Sequence, residues 1–197
     1  MSVRTSAALV RLAGWTAALG SVGYFLSDLI EAVQGGFSTG QLWLTLAAEA
    51  VVPVFVVGLA LARWPRLGRL GLVGAAVYAY AFVYFTGTVI YALVHHTADF
   101  AALSDELGVW MTVHGGLMLL GALGLGSAVL RSGVYPRWTG VALVVGVALV
   151  AVGLPGPAGL LAAGIRDLAF AGMGLALLTN DEYDVRAGGT AAQTTRR

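Results

Sequence analysis

The chain has 197 residues, of which 58% are hydrophobic and only 11% charged. A soluble domain is about one quarter charged, so this sequence cannot cover a water-facing surface and reads as one membrane domain. The formal net charge of +1 gives no electrostatic footprint for nucleic acid. The absence of cysteine excludes disulfides, thiolate metal sites, iron–sulfur clusters and a cysteine nucleophile.

A helix that crosses the hydrocarbon needs about 20 mostly apolar residues. The first such stretch is 9–32. Arg4 and Arg11 precede it as they would in a signal peptide. However, the apolar run continues to Ile30, beyond a signal-peptide core, with no small-residue cleavage site after it. The second stretch, 41–62, follows a short loop, Gln34 to Gly40. The third, 69–94, opens on Gly68, Gly71 and Gly74, and the fourth, 107–130, contains Gly121, Gly124 and Gly126. Small residues at such spacing let membrane helices approach closely. None precedes an expected strand, so they do not suggest a phosphate-cradling loop. The fifth stretch, 138–154, and the sixth, 158–178, are divided only by Leu154-Pro155-Gly156-Pro157, which is a tight turn. The expected organisation is an all-α polytopic bundle of about six spans over 1–180, with a polar, disordered cytoplasmic tail over 181–197.

Arginine sets the orientation. Arg63, Arg66 and Arg69 lie in the second loop, Arg131 and Arg137 in the fourth, and Arg4, Arg11, Arg186, Arg196 and Arg197 flank the termini. The other loops contain none, and the third holds Asp99, Asp105 and Glu106. The positive-inside rule then places both termini in the cytoplasm, for a multi-pass protein of the cell (inner) membrane.

Ionisable groups within a span are costly and tend to be paired or functional. Ser21, Tyr24, Asp28 and Glu31 share one face of span one. Glu49 is the only charge in span two, His114 lies in span four, and Arg166 and Asp167 lie in span six. Span three carries a stripe, Tyr80, Tyr84, Thr88, Tyr91 and His95, at spacings of 4, 4, 3 and 4. Asp28, Glu49, Tyr84, Tyr91, His95, His114, Arg166 and Asp167 all fall in the outer half. The simplest arrangement gathers them round a polar cavity open to the outside, with Arg166 pairing with a carboxylate on another helix in preference to its neighbour Asp167. One Arg cannot neutralise three carboxylates, so at least one is expected to hold a proton. A carboxylic acid in an apolar pocket is a proton donor.

Three functions suit this set. In an enzyme acting on a lipophilic substrate, Asp28, Glu49 or Asp167 would be the acid and His114 or another carboxylate the base. Tyr24, Tyr80, Tyr84, Thr88, Tyr91, His95, Trp110 and Arg166 would line the substrate site. A proton- or ion-coupled transporter would use the same carboxylates, and a lone six-helix unit would then need to form a homodimer. In a non-catalytic protein, Arg166 and one carboxylate would only lock helices together. His95 or His96 with His114 could in principle ligate haem, but no cofactor and no metal site is expected; membrane lipid is the expected surrounding partner.

The size and the scattered intramembrane acids are similar to those of the small integral-membrane terpene cyclases, in architecture only. The run Ala128-Val129-Leu130-Arg131-Ser132-Gly133-Val134-Tyr135-Pro136-Arg137-Trp138-Thr139-Gly140-Val141 resembles the fourth-to-fifth helix junction of a broad group of small bacterial membrane proteins, and Leu67 to Leu72 fits them too. That resemblance implies a six-helix fold and no particular activity.

Overall fold

The computed structural model describes residues 7–154 and 156–194, the side chains of 180–194 excepted. Among these residues there are seven helices and no strand: α1 Ala7–Gln34, α2 Thr39–Ala62, α3 Gly68–His95, α4 Phe100–Leu107, α5 Val109–Ser132, α6 Arg137–Val152 and α7 Pro157–Thr194. Five are long and apolar enough to cross a membrane: α1, α2, α3, α5 and the stretch Pro157–Thr179 of α7. With 16 residues, α6 is shorter; at 1.5 Å per residue it spans about 24 Å, less than the ~30 Å of a typical hydrocarbon core. Of the tail expected from 181, residues 181–194 continue α7 and 195–197 lie outside the described residues.

The expected fourth span, 107–130, is interrupted at its start. Gly108 adopts φ 52°, a conformation that favours glycine, and separates the short α4 from α5. Asp99 caps α4, its Oδ1 accepting from the Ala102 amide at 2.8 Å. At the other end of α5, Gly133 (φ 62°) supplies the left-handed C-cap that lets the chain turn back into α6.

Each long helix packs on its neighbours in the chain, and α7 closes on α1, so α1, α2, α3, α5, α6 and α7 form a ring. Short connections make adjacent members antiparallel. Side chains at mid-depth and in the half nearer the α2–α3 and α5–α6 connections, labelled inner by the arginine expectation, fill the ring. Phe55, Tyr78, Phe82 and Phe170 pack with ring centroids 5.0–5.3 Å apart, and Leu59, Leu125, Leu143, Met173 and Leu177 lie fully buried beside them. On the inner side, the Tyr135 hydroxyl donates to the Leu59 carbonyl at 2.9 Å and the Arg63 guanidinium lies 5.7 Å over its ring. Burial pushes the Tyr135 phenol above its ordinary range, and nearby Arg63 opposes that shift.

Glycine makes the close approaches, as its spacing suggests. A methyl group on Gly121 would sit 2.6 Å from the Tyr78 amide, and one on Gly126 2.9 Å from the Gly140 carbonyl. On Gly146 it would be 2.5 Å from the Arg166 amide, and on Gly174 2.6 Å from the Gly14 carbonyl. These contacts bring α3 to α5, α5 to α6, α6 to α7 and α7 to α1. Gly68 differs: it has φ 73° and open space around it, so it starts α3 without packing a neighbour.

Gly121→Ala should therefore lower stability by the ~1–3 kcal/mol typical of overpacking. Gly116→Ala, where an added methyl meets nothing within 4 Å, should leave stability unchanged or raise it by up to ~1 kcal/mol. Thermal unfolding of the two variants in detergent distinguishes the cases. Equal midpoints would contradict the packing described.

Candidate functional site

The outer half of the ring is open where the inner half is filled. A cavity of about 1150 Å³ extends from the outer helix ends to mid-depth, lined by residues from all seven helices. Leu42, Phe82, Phe85, Val89, Met118 and Leu160 form apolar parts of its wall, and Tyr24, Asp28, Glu49 and Arg166 lie among them.

Arg166 organises the floor. Its guanidinium grips Asp167 at two points, Nε to Oδ1 at 2.8 Å and Nη2 to Oδ2 at 3.0 Å. Nη2 also reaches Asp28 Oδ2 on α1 at 3.4 Å. The sequence reading favours a partner on another helix because consecutive side chains diverge by about 100°. The structure contains that bridge, but the neighbour Asp167 is closer. The long Arg side chain bends back far enough to present its fork to the adjacent carboxylate, and bidentate geometry is the stronger arrangement. Arg166 and Asp167 are each 4% exposed.

The remaining face of the guanidinium lies over the Tyr24 ring, 4.3 Å from its centroid. The Tyr24 hydroxyl in turn donates to Glu49 Oε1 at 2.7 Å. The second oxygen, Oε2, is buried and has no hydrogen-bond partner among the described residues. Glu49 is 4% exposed and lines the cavity. A chain of contacts thus runs from α7 through α1 to α2 and ends on a carboxyl group with one uncommitted oxygen.

A second polar group sits nearer the mouth and escapes the sequence reading. Gln41 Nε2 donates to Ser27 Oγ at 3.0 Å and to Thr45 Oγ1 at 2.9 Å, and the two hydroxyls also bond to each other. Gln41 Oε1 is buried without a partner among the described residues. The signal was present: Gln41, Thr45 and Glu49 recur every four residues and share one face of α2. Of these three, only Glu49 is ionisable and so stands out in an apolar span.

The structure brings together Tyr24, Asp28, Glu49, Thr88 and Arg166 at the cavity, with Asp167 behind Arg166. It does not bring in the rest. Of the α3 stripe only Thr88 lines the cavity. Tyr80 is 60% exposed, Tyr84 stacks on His114 at 3.7 Å, and Tyr91 stacks on the exposed His95 at 3.9 Å. The face that α3 turns inward carries Tyr78, Phe82, Phe85 and Val89, roughly 130° round from the stripe at 100° per residue. His114 is buried, but against Tyr84, with Nδ1 2.8 Å from the Trp110 carbonyl; it does not line the cavity. Trp110 is 60% exposed. Among the described residues, no group of three or more His, Asp or Glu is placed to hold a metal ion.

No protein-family model matches this chain, and no curated protein or solved structure was found to be similar to it. The site therefore has to be interpreted from its own geometry.

Removing one member of a buried ion pair strands its partner, at a cost of about 3–5 kcal/mol. Arg166→Met is expected to lose about that much, because Asp167 and Asp28 then face the apolar core without a cation. Adding Asp167→Leu should recover most of the loss. Unfolding midpoints of the single and double variants test the coupling; additive losses would show that the pair is not one unit.

Proposed function

We propose that this is a six-span protein of the cell membrane with both termini in the cytoplasm, and that its outward-facing cavity performs acid/base chemistry on a lipophilic small molecule. The observation that carries this reading is Glu49, a buried carboxyl at the cavity floor with one oxygen held by Tyr24 and the other uncommitted. No cation competes for it, because Arg166 is engaged by Asp167 and Asp28. In this role Glu49 passes its proton to an alkene carbon or epoxide oxygen of the substrate and becomes the carboxylate. The developing cation is stabilised by the faces of Phe82 and Phe85. A proton lost later from the cation is taken up by Asp28, which also lines the cavity and whose side chain is 24% exposed, and exchange through the open cavity carries it back to Glu49, restoring both groups. Asp167 has both oxygens bound by Arg166 and serves as its counter-ion. His114, stacked on Tyr84 away from the cavity, is the weaker candidate for the base. The reaction class is like that of the integral-membrane terpene cyclases.

Coupled transport has less support. Below the cavity floor, Phe55, Tyr78 and Phe170 are packed against one another and buried, and fill the ring.

Membranes containing the protein, supplied with polyprenyl alkenes and epoxides, should yield products that Glu49→Gln reduces by about 10²-fold or more, the usual weight of a general acid. Tyr24→Phe should reduce them less, and both variants should stay folded. Undiminished turnover in Glu49→Gln would sink the acid assignment. Topology is tested separately by reporter fusions. A fluorescent protein after residue 197 should fluoresce and alkaline phosphatase there should be silent, with the reverse for insertions near Ser38. Any other pattern excludes the six-span orientation.

A further inference from the structure

The cavity has a charge imbalance and a gap in its wall, and the two features together specify an occupant. We propose that it takes a cationic amphiphile, an alkyl chain ending in an amine, which enters sideways from the outer leaflet between α1 and α5 above the α6–α7 turn. This rests on the cavity being the binding site, as argued above.

Charge indicates the headgroup. Asp28, Glu31 and Glu49 line the cavity, Asp99 and Asp105 stand at its rim, and Arg166 is the one cation among its described lining residues. Arg166 is already matched by Asp167 behind it. The lining therefore has carboxylates in excess, and such a concavity concentrates cations and repels anions. Two buried acceptors point the same way. Glu49 Oε2 and Gln41 Oε1 have no donor among the described residues, and both residues are more than nine-tenths buried. Glu49 gives up its proton when the amine binds as an ammonium, which presents up to three donors and no acceptor, as these two oxygens then require. The apolar wall of Leu42, Phe82, Phe85 and Met118 suits the tail.

Helix lengths indicate the route. From their shared inner turn, α5 runs for 24 residues and α6 for 16, so α6 stops about 12 Å short of the outer end of α5. Over that interval α5 presents Gly115 and Gly116 to the cavity. A side-chain carbon on either would meet nothing within 4 Å, whereas on Gly121, Gly124 or Gly126 it would press on a neighbouring helix. The outer-half glycines thus leave an opening where the deeper ones close a joint. Exposed Val113 and Val152 flank it with lipid-compatible surface. On the opposite side the mouth is covered. There α4 packs Leu103 against Leu42, Val89 and Ala92, and the Phe37 amide donates to the Ala98 carbonyl at 2.7 Å.

The test uses the full chain in lipid nanodiscs, titrated with dodecylamine, dodecanol and dodecanoate, with empty nanodiscs as the blank. Dodecylamine should bind at least about tenfold more tightly than dodecanol, dodecanoate should not bind, and Glu49→Gln should remove about tenfold of the amine affinity. Gly116→Trp, placed in open space, should slow amine association about tenfold without lowering the unfolding midpoint. Equal binding of amine and alcohol overturns the cationic assignment and leaves the cavity as a lipophile site. Failure of all three probes to bind overturns both. Unchanged association in Gly116→Trp overturns the side route.

Discussion

A guanidinium buried in a membrane must be surrounded, and the outer half of this bundle is arranged around that requirement. Arg166 cannot lose its proton, so every face of its planar fork needs a partner. Asp167 takes two of its donors, Asp28 takes a third contact from α1, and the Tyr24 ring covers the flat surface. These contacts fix more than the arginine. They hold Tyr24 so that its hydroxyl meets Glu49 on α2, and they join α7 to α1 at mid-depth. The group is located there because Gly146 has no side chain, which lets the α6 backbone lie directly against α7 at Arg166.

Below this layer the ring packs tightly; above it the ring opens. Gly74, Gly121, Gly124, Gly126 and Gly140 make the inner joints of α3, α5 and α6, and large apolar side chains fill the centre. Dispersion between closely approaching helices stabilises such joints in lipid, where no hydrophobic effect favours helix association. Above the arginine the same helices separate. Glycine there lines space instead of contact, as Gly115 and Gly116 do. One residue type therefore has two roles along α5, set by whether a neighbouring helix continues alongside.

Much of this was legible in the sequence, and the exceptions have physical causes. The inward face of α1 follows from the spacing of Ser21, Tyr24, Asp28 and Glu31, and Arg166 could only be stable beside carboxylates. The α3 stripe misled because aromatic hydroxyls tolerate a lipid-facing or edge position, as Tyr80 shows. Periodicity identifies a face without saying which way it turns. The short helix α4 was hidden because Asp99, Asp105 and Glu106 made Phe100 to Leu107 read as a loop; the usable signals were Asp99 as a cap and Gly108 as a break. The i, i+1 pairing of Arg166 with Asp167 depends on a bent side chain, which helical geometry alone does not reveal.

The carboxylates divide into two kinds, and the division separates structure from chemistry. Asp167 is saturated: both oxygens face Arg166, and no oxygen is left to meet a ligand. Glu49 is half-committed, and it sits where the cavity ends. If charge compensation alone governed this layer, Glu49 would gain nothing from being acidic, since a glutamine could accept the Tyr24 hydroxyl equally well at that depth without the desolvation cost of a carboxylate. The position instead keeps an ionisable group while Arg166 is turned to other partners. That arrangement costs stability, and it is why the proposed chemistry is assigned to Glu49 rather than to the stronger ion pair beside it.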